Sequence, residues 1–232
     1  MAMATTSPSW VTDGSAIADP LGHGERAVTF LRNLRHPKSR KRGQAFSLDP
    51  WVERIVRRIY GPRHEVDDPA NFVFRGDRIV KSCFIMVPRG ARKTSLGAAL
   101  TLLHLIGPEK REYGQIVCAA SDKKQAGIAY SEAVSIIRND RRLNGLTKIT
   151  DHTKLIRNLK TGTKLEAISA DGGTQHGRTP AFVLADELHA WKDHSGLWEA
   201  LKTGLAKEDN SLLVITTTAG RGQSGAAWDQ YS

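Results

Sequence analysis

Apolar residues along this chain fall into short continuous runs, separated by segments whose apolar positions recur every three or four residues. Ser82–Val87, Gln115–Ala120, Ala181–Ala185 and Leu212–Thr217 are runs of the first kind. Each has the length of a strand buried on both faces. Between them, Leu96, Leu100 and Leu103 predict a helix from about Thr94 to Ile106, with Gly107 marking its end. Lys123–Ile137 and Leu197–Leu205 read as further helices, and segments near Leu155 and at Lys164–Ser169 as further strands. Upstream, Leu48-Asp49-Pro50-Trp51 opens a helix in which Asp49 can cap, Pro50 suits the first turn, and Trp51, Ile55 and Ile59 share a face. Gly61-Pro62 ends it. Such alternation predicts an α/β fold: a mostly parallel sheet with helices on both faces.

The length of 232 residues suits one such domain with an arm. Residues 1–24 are rich in Ser, Thr, Gly and Ala, a composition that orders poorly. Arg26–Leu48 contains no acidic residue but seven basic ones: Arg26, Arg32, Arg35, Lys38, Arg40, Lys41 and Arg42. That segment reads as an arm or a short helix with a basic tail, either a solvated linker or a DNA contact. The expected division is a flexible basic arm over 1–47 and the α/β domain over 48–232.

A hydrophobic fraction of 40% argues against wholesale disorder, and the net charge of +10 points toward a polyanionic partner. Cys83 and Cys118 lie in apolar runs with no CxxC or Cys/His cluster, so neither a zinc site nor a disulfide framework is expected. Two buried thiols suit a reducing cytoplasm. The N-terminus lacks a basic segment followed by an apolar core, and no apolar run approaches the ~18 residues that cross a bilayer. A soluble intracellular protein is expected.

Three loops carry candidate chemistry, each at the C-terminal end of an expected buried strand, where open α/β sheets place ligands. The first is Val87-Pro88-Arg89-Gly90-Ala91-Arg92-Lys93-Thr94-Ser95. Strand, turn and a helix opening on Lys-Thr is the arrangement of a phosphate-binding loop, whose amides surround phosphates. Lys93 would reach the β/γ oxygens and Thr94 would ligate Mg²⁺. The pattern G-x-x-x-x-G-K-[ST] asks for glycine where Val87 and Arg92 stand. The second loop is Asp186-Glu187-Leu188-His189, where an apolar strand ends in two acids. One can sit beside Mg²⁺ while the other orients and deprotonates the attacking water. The third, Thr216-Thr217-Thr218-Ala219-Gly220, could sense the γ-phosphate and relay hydrolysis. Apart from its place in the series, it reads as β-propensity.

In this order the motifs identify a family. From near Val28 to its last residue the chain resembles the large terminase subunits of tailed phages. The likeness rests on Leu48-Asp49-Pro50-Trp51 with Ile59-Tyr60-Gly61; Val87-Pro88-Arg89-Gly90; Ala119-Ala120-Ser121-Asp122 with Gln125-Ala126; Ser169-Ala170-Asp171 with His176-Gly177; Asp186-Glu187-Leu188-His189; Leu197-Trp198-Glu199-Ala200-Leu201; and Thr216-Thr217-Thr218-Ala219-Gly220.

The resemblance implies an ASCE (RecA-like) P-loop NTPase fold. It also implies an ATP- and Mg²⁺-dependent motor that translocates double-stranded DNA, as a homo-oligomeric ring on the phage portal protein with a small terminase subunit, in the host bacterial cytoplasm. On matching positions it implies nucleotide contacts from Pro88 to Ser95. Lys93 and Thr94 resemble the Walker A pair, and Arg89 the family's early-loop arginine, a candidate γ-phosphate contact. Asp186 resembles the metal-side Walker B acid, Glu187 the catalytic base, and Thr216, Thr217 and Thr218 the coupling motif.

Three departures qualify this. Relatives commonly read Pro-Arg-Gly-Asn-Gly-Lys where this chain has Pro88-Arg89-Gly90-Ala91-Arg92-Lys93. Val52 stands where the family often has a glutamine that helps hold adenine. The family's C-terminal nuclease domain has no counterpart in this sequence, so nuclease activity is not expected of it. The alternative is a catalytically inactive remnant that binds DNA or portal without turnover. A helicase-like ATPase is less well supported, because no second RecA-like lobe is present.

Overall fold

The computed structural model describes residues 9–37, 42–169, 177–191 and 196–218. Lys38, Arg40, Lys41, Ala170, Asp171, His176, Ala219 and Gly220, which entered the sequence reading, lie outside the described residues.

The described helices are α1 (His23–Asn33), α2 (Pro50–Tyr60), α3 (Lys93–Leu105), α4 (Lys123–Arg138), α5 (Arg141–Asn144) and α6 (Gly196–Leu205). The strands are β1 (Ser82–Met86), β2 (Gln115–Ala120), β3 (Thr147–Thr150), β4 (Leu155–Asn158), β5 (Lys164–Ser169), β6 (Phe182–Asp186) and β7 (Leu212–Thr217). They form one sheet in the order β1-β7-β6-β2-β5-β4-β3. The pairs from β1 to β5 are parallel, and β4 and β3 add an antiparallel extension.

The central strands are apolar throughout because both of their faces are covered. Phe182, Leu184, Leu212, Val214, Ile116 and Cys118 face one core, built with α1 to α4. Their alternates Val183, Ala185, Leu213, Ile215, Val117 and Ala119 face a second core under α6. This period of two fixes which residues point at which helix layer. Gly97 lets α3 lie close on β6: a Cβ there would stand 2.8 Å from Leu184 Cδ2. The helix that opens on Lys93 is thereby seated over the strand that ends in Asp186.

Two expectations need correction. The segment assigned to a flexible arm contains α1, whose Ala27, Val28 and Leu31, followed by Leu34 and Phe46, are buried in the first core. The boundary at residue 48 therefore falls between two helices, α1 and α2, that pack together. Cys83, expected in a buried strand, is only half-buried because β1 is the edge of the sheet; Cys118, on β2, is buried as expected. In α2, Asp49 takes the N-cap position without a side-chain cap bond. Val52, Val56, Ile59 and Tyr60 form its buried face, with Trp51 and Ile55 at the margin.

Buried polar groups tie the layers together. Tyr60 Oη lies 3.1 Å from His104 Nε2, and that imidazole stacks on Phe182 at 4.2 Å. Burial lowers the His104 pKa well below the ordinary imidazole value, so the ring is neutral. At the end of α3, Glu109 accepts from Arg63 at 2.8 Å, from Arg78, and meets His23 Nδ1 at 2.9 Å. This cluster joins α1 and the 61–81 segment to the helix that carries the phosphate loop.

Candidate active site

Parallel strands aim their C-terminal ends the same way, so the loops after β1, β6 and β7 meet at one rim. β7 lies between the other two: Met86 is in register with Thr217, and Asp186 with Thr216. An inserted strand between the phosphate-loop strand and the acidic strand sets the threonines against both.

In the first loop, Val87 N donates to Thr217 O at 3.2 Å, prolonging the ladder beyond β1. Ala91 N donates to Pro88 O at 3.3 Å in a tight turn, with Gly90 at φ +90°. Arg92 follows at φ +55° and ψ +31°, a left-handed conformation immediately before α3. A side chain there is strained by roughly 1–2 kcal/mol. The first-turn amides of Lys93, Thr94 and Ser95 have no partner within the helix, which makes this end a seat for anionic oxygens. Lys93 is 8% exposed, and its Nζ lies 3.1 Å from Glu187 Oε1 without the alignment of a hydrogen bond. A buried ammonium with unspent donors fits a phosphate ligand. The Ser95 hydroxyl is engaged elsewhere, its Oγ donating to Glu132 Oε1 on α4 at 3.1 Å, which leaves its amide for the phosphate seat.

Asp186 is 7% exposed and accepts from Thr216 Oγ1 at 2.7 Å and from Glu187 N at 3.0 Å. Burial raises its pKa; the Thr216 bond opposes that and the neighbouring Glu187 charge adds to it. A desolvated carboxylate of this kind fits a divalent cation, which would supply the missing countercharge. Glu187 turns the chain through φ +50°, and its amide donates to Thr216 O at 2.7 Å. This left-handed residue, strained for want of glycine, swings the carboxylate back over the rim toward Lys93.

His189 was part of the sequence motif but had no assigned role. Its Nδ1 lies 3.1 Å from Glu187 Oε2 and 2.9 Å from Thr217 Oγ1, while its amide donates to the same hydroxyl at 3.3 Å. The Thr217 hydroxyl donates to Thr218 O at 3.1 Å, which leaves Nδ1 as the donor shared between Thr217 and Glu187. Thr218 Oγ1 reaches Glu187 Oε2 at 3.5 Å. The acidic strand and the threonine strand thus meet through one imidazole.

Arg89, Glu187, His189 and Thr218 line a cleft of 400 Å³ together with Ser121, Asp122 and Gln125. The last three went unassigned, although they follow β2 at the same ligand-bearing edge. A second cleft of 230 Å³ runs along Gly90–Arg92, Ser95 and Leu96 to Phe46–Asp49, Trp51, Val52 and His36. His36 stacks on Phe46 at 4.7 Å.

A parallel sheet with this strand order, a phosphate loop opening a helix and an acidic strand end facing it define a P-loop NTPase of the ASCE type. Residues 71–232 match the family model described as the ATPase domain of the terminase large subunit, and the chain belongs to that family. It is 28% identical over 197 residues to the terminase large subunit of Enterobacteria phage HK97, covering 84% of this chain and 36% of that protein. The crystal structure of the HK97 bacteriophage large terminase superposes with a TM-score of 0.73 at 25% identity, over 87% of this chain and 39% of that one. The chain thus spans little more than a third of the relatives it matches.

Proposed function

We propose that this chain is the ATP-hydrolysing motor domain of a phage packaging terminase, coupling hydrolysis to translocation of double-stranded DNA into the procapsid. The carrying observation is the convergence of Lys93, Asp186, Glu187 and Thr216–Thr218 on one rim. Lys93, Arg89 and the α3 amides bind the triphosphate. Mg²⁺, held by Thr94 and Asp186, neutralises phosphate charge when bound. Glu187 takes the proton of a water whose oxygen bonds to the γ-phosphorus as the bond to the β-phosphate oxygen breaks, giving ADP and phosphate. Lys93 Nζ lies 3.1 Å from Glu187 Oε1, so a phosphate oxygen at the same ammonium would compete with the carboxylate. The remainder of the reading follows the family: a ring on the portal protein, with a small terminase subunit, in the host cytoplasm. Among the described residues no helix is long and apolar enough to cross a membrane.

The second reading is an inactive remnant that binds DNA or portal. Arg92 in a left-handed conformation favours it, because the strain falls on the phosphate loop. Magnesium-dependent ATP turnover by the purified chain decides. Turnover that rises with double-stranded DNA supports the motor; nucleotide binding without turnover supports the remnant.

A further inference from the structure

The basic run between Arg138 and Lys164 is sorted by the fold into two groups. Arg138 pairs with Asp151 at 2.7 Å, Arg142 with Asp140 at 2.6 Å, and Lys154 Nζ donates to Lys123 O at 2.9 Å. Lys148, Arg157 and Lys164 behave differently. Register sets Lys148 opposite Arg157, and Arg157 opposite Lys164, so three cations form one row across β3, β4 and β5. The adjacent row, Ile149–Ile156–Leu165, packs into the core beneath α3 and α4. Side chains alternate between faces, so the cationic row points away from those helices.

Like charges directly opposite one another on a sheet destabilise it. Among the described residues none of the three is paired with a carboxylate. Glu166, one step along on the same face, is engaged by Arg178. The core under α6 takes in β2, β6, β7 and Ile168 near the end of β5 but, among the described residues, none of β3 or β4. Lys164 begins β5, so the row lies toward the end of the sheet opposite the nucleotide rim. An anion held there would lie apart from the nucleotide rim, against a row of cations set one strand apart.

Resting on the motor reading, we infer that the Lys148–Arg157–Lys164 row is the surface on which this domain holds the phosphate backbone of duplex DNA. The row reads charge and not sequence, as a packaging substrate of any sequence requires. Lys160, exposed in the β4–β5 turn, extends it.

The test is binding of a mixed-sequence DNA duplex over a salt series, by the parent chain and by K148Q/R157Q/K164Q. Each lost phosphate contact removes about 0.9 unit of log–log slope, so the slope should fall by roughly 2.5 units and affinity at low salt by roughly tenfold or more. The charge-preserving K148R/R157K/K164R should keep the parent slope. R75Q/K207Q, which neutralises exposed cations elsewhere, should change it little. ATP turnover without DNA should be the same in all four proteins, so loss of the motor reading would show as a parent that does not hydrolyse ATP, independently of the slopes. An unchanged slope in the triple glutamine variant, an equal loss in R75Q/K207Q, or a parent that does not bind duplex DNA overturns the inference.

Discussion

Lys93 Nζ and Glu187 Oε1 stand 3.1 Å apart, so the cation expected to grip phosphate and the base expected to activate water are set against one another. Glu187→Gln removes both proton acceptance and this pair. Turnover should fall by at least about 10²-fold. Nucleotide affinity should hold or improve, because Lys93 is released. Single-turnover hydrolysis and a binding titration check this; a variant that hydrolyses ATP like the parent places the base elsewhere.

Arg92 is the clearest departure from a standard phosphate loop, and its φ of +55° gives that departure a cost. Arg92→Gly should relieve on the order of 1 kcal/mol of strain, raising the melting midpoint where the free loop carries it and ATP affinity, by up to about fivefold, where the bound loop does. Arg92→Ala keeps the strain and drops the charge, so it should give neither gain. Weaker binding in both variants would instead make the guanidinium a phosphate ligand.

His189 Nδ1 lies 3.1 Å from Glu187 Oε2, close enough to position that carboxylate. His189→Ala should lower kcat by roughly tenfold, a fraction of the loss expected for the base itself, with little change in KM. His189→Asn, whose amide can still donate, should recover part of it. A rise in KM at constant kcat would assign the ring to nucleotide binding.

Glu109 supplies a pH-dependent check on the scaffold. Burial alone would raise its pKa; the His23 contact and the Arg78 and Arg63 guanidiniums outweigh that and hold it well below the ordinary carboxylate range. A depressed pKa stabilises the fold fully above the unfolded value near 4.5, and the contribution is lost as pH falls below it. Glu109→Gln leaves two buried guanidiniums without a countercharge and should cost about 3–5 kcal/mol at neutral pH. Denaturation midpoints of parent and variant should converge as the pH drops below 4.5. A gap constant with pH would show that the charge is not what matters.

Much of this was legible before any coordinates. Continuous apolar runs marked β2, β6 and β7, whose two buried faces admit little else, and also the half-buried edge strand β1, to within a residue or so. The acids and threonines at their ends pointed to one rim, and the pairing of β6 with β7 sets Asp186 opposite Thr216. α1 was harder to read: Ala27, Val28, Leu31 and Leu34 carry a helical apolar face, but the surrounding arginines made the segment look like a solvated arm. The left-handed turn at Arg92 was signalled only by the glycine that the phosphate-loop pattern asks for there, and the one at Glu187 left no trace. The reach of His189 to Thr217 and the row through Arg157 depend on strand pairing, which residue order alone does not state.

The hydrogen-bonded ladder runs without a break from β1 to β3. The nucleotide rim and the cationic row are therefore mounted on one stiff plate, with no joint in the sheet between them. On the motor reading, a stroke that moves a polymer held at the row would carry the sheet as one body, with β7 between the phosphate loop and the acidic strand end.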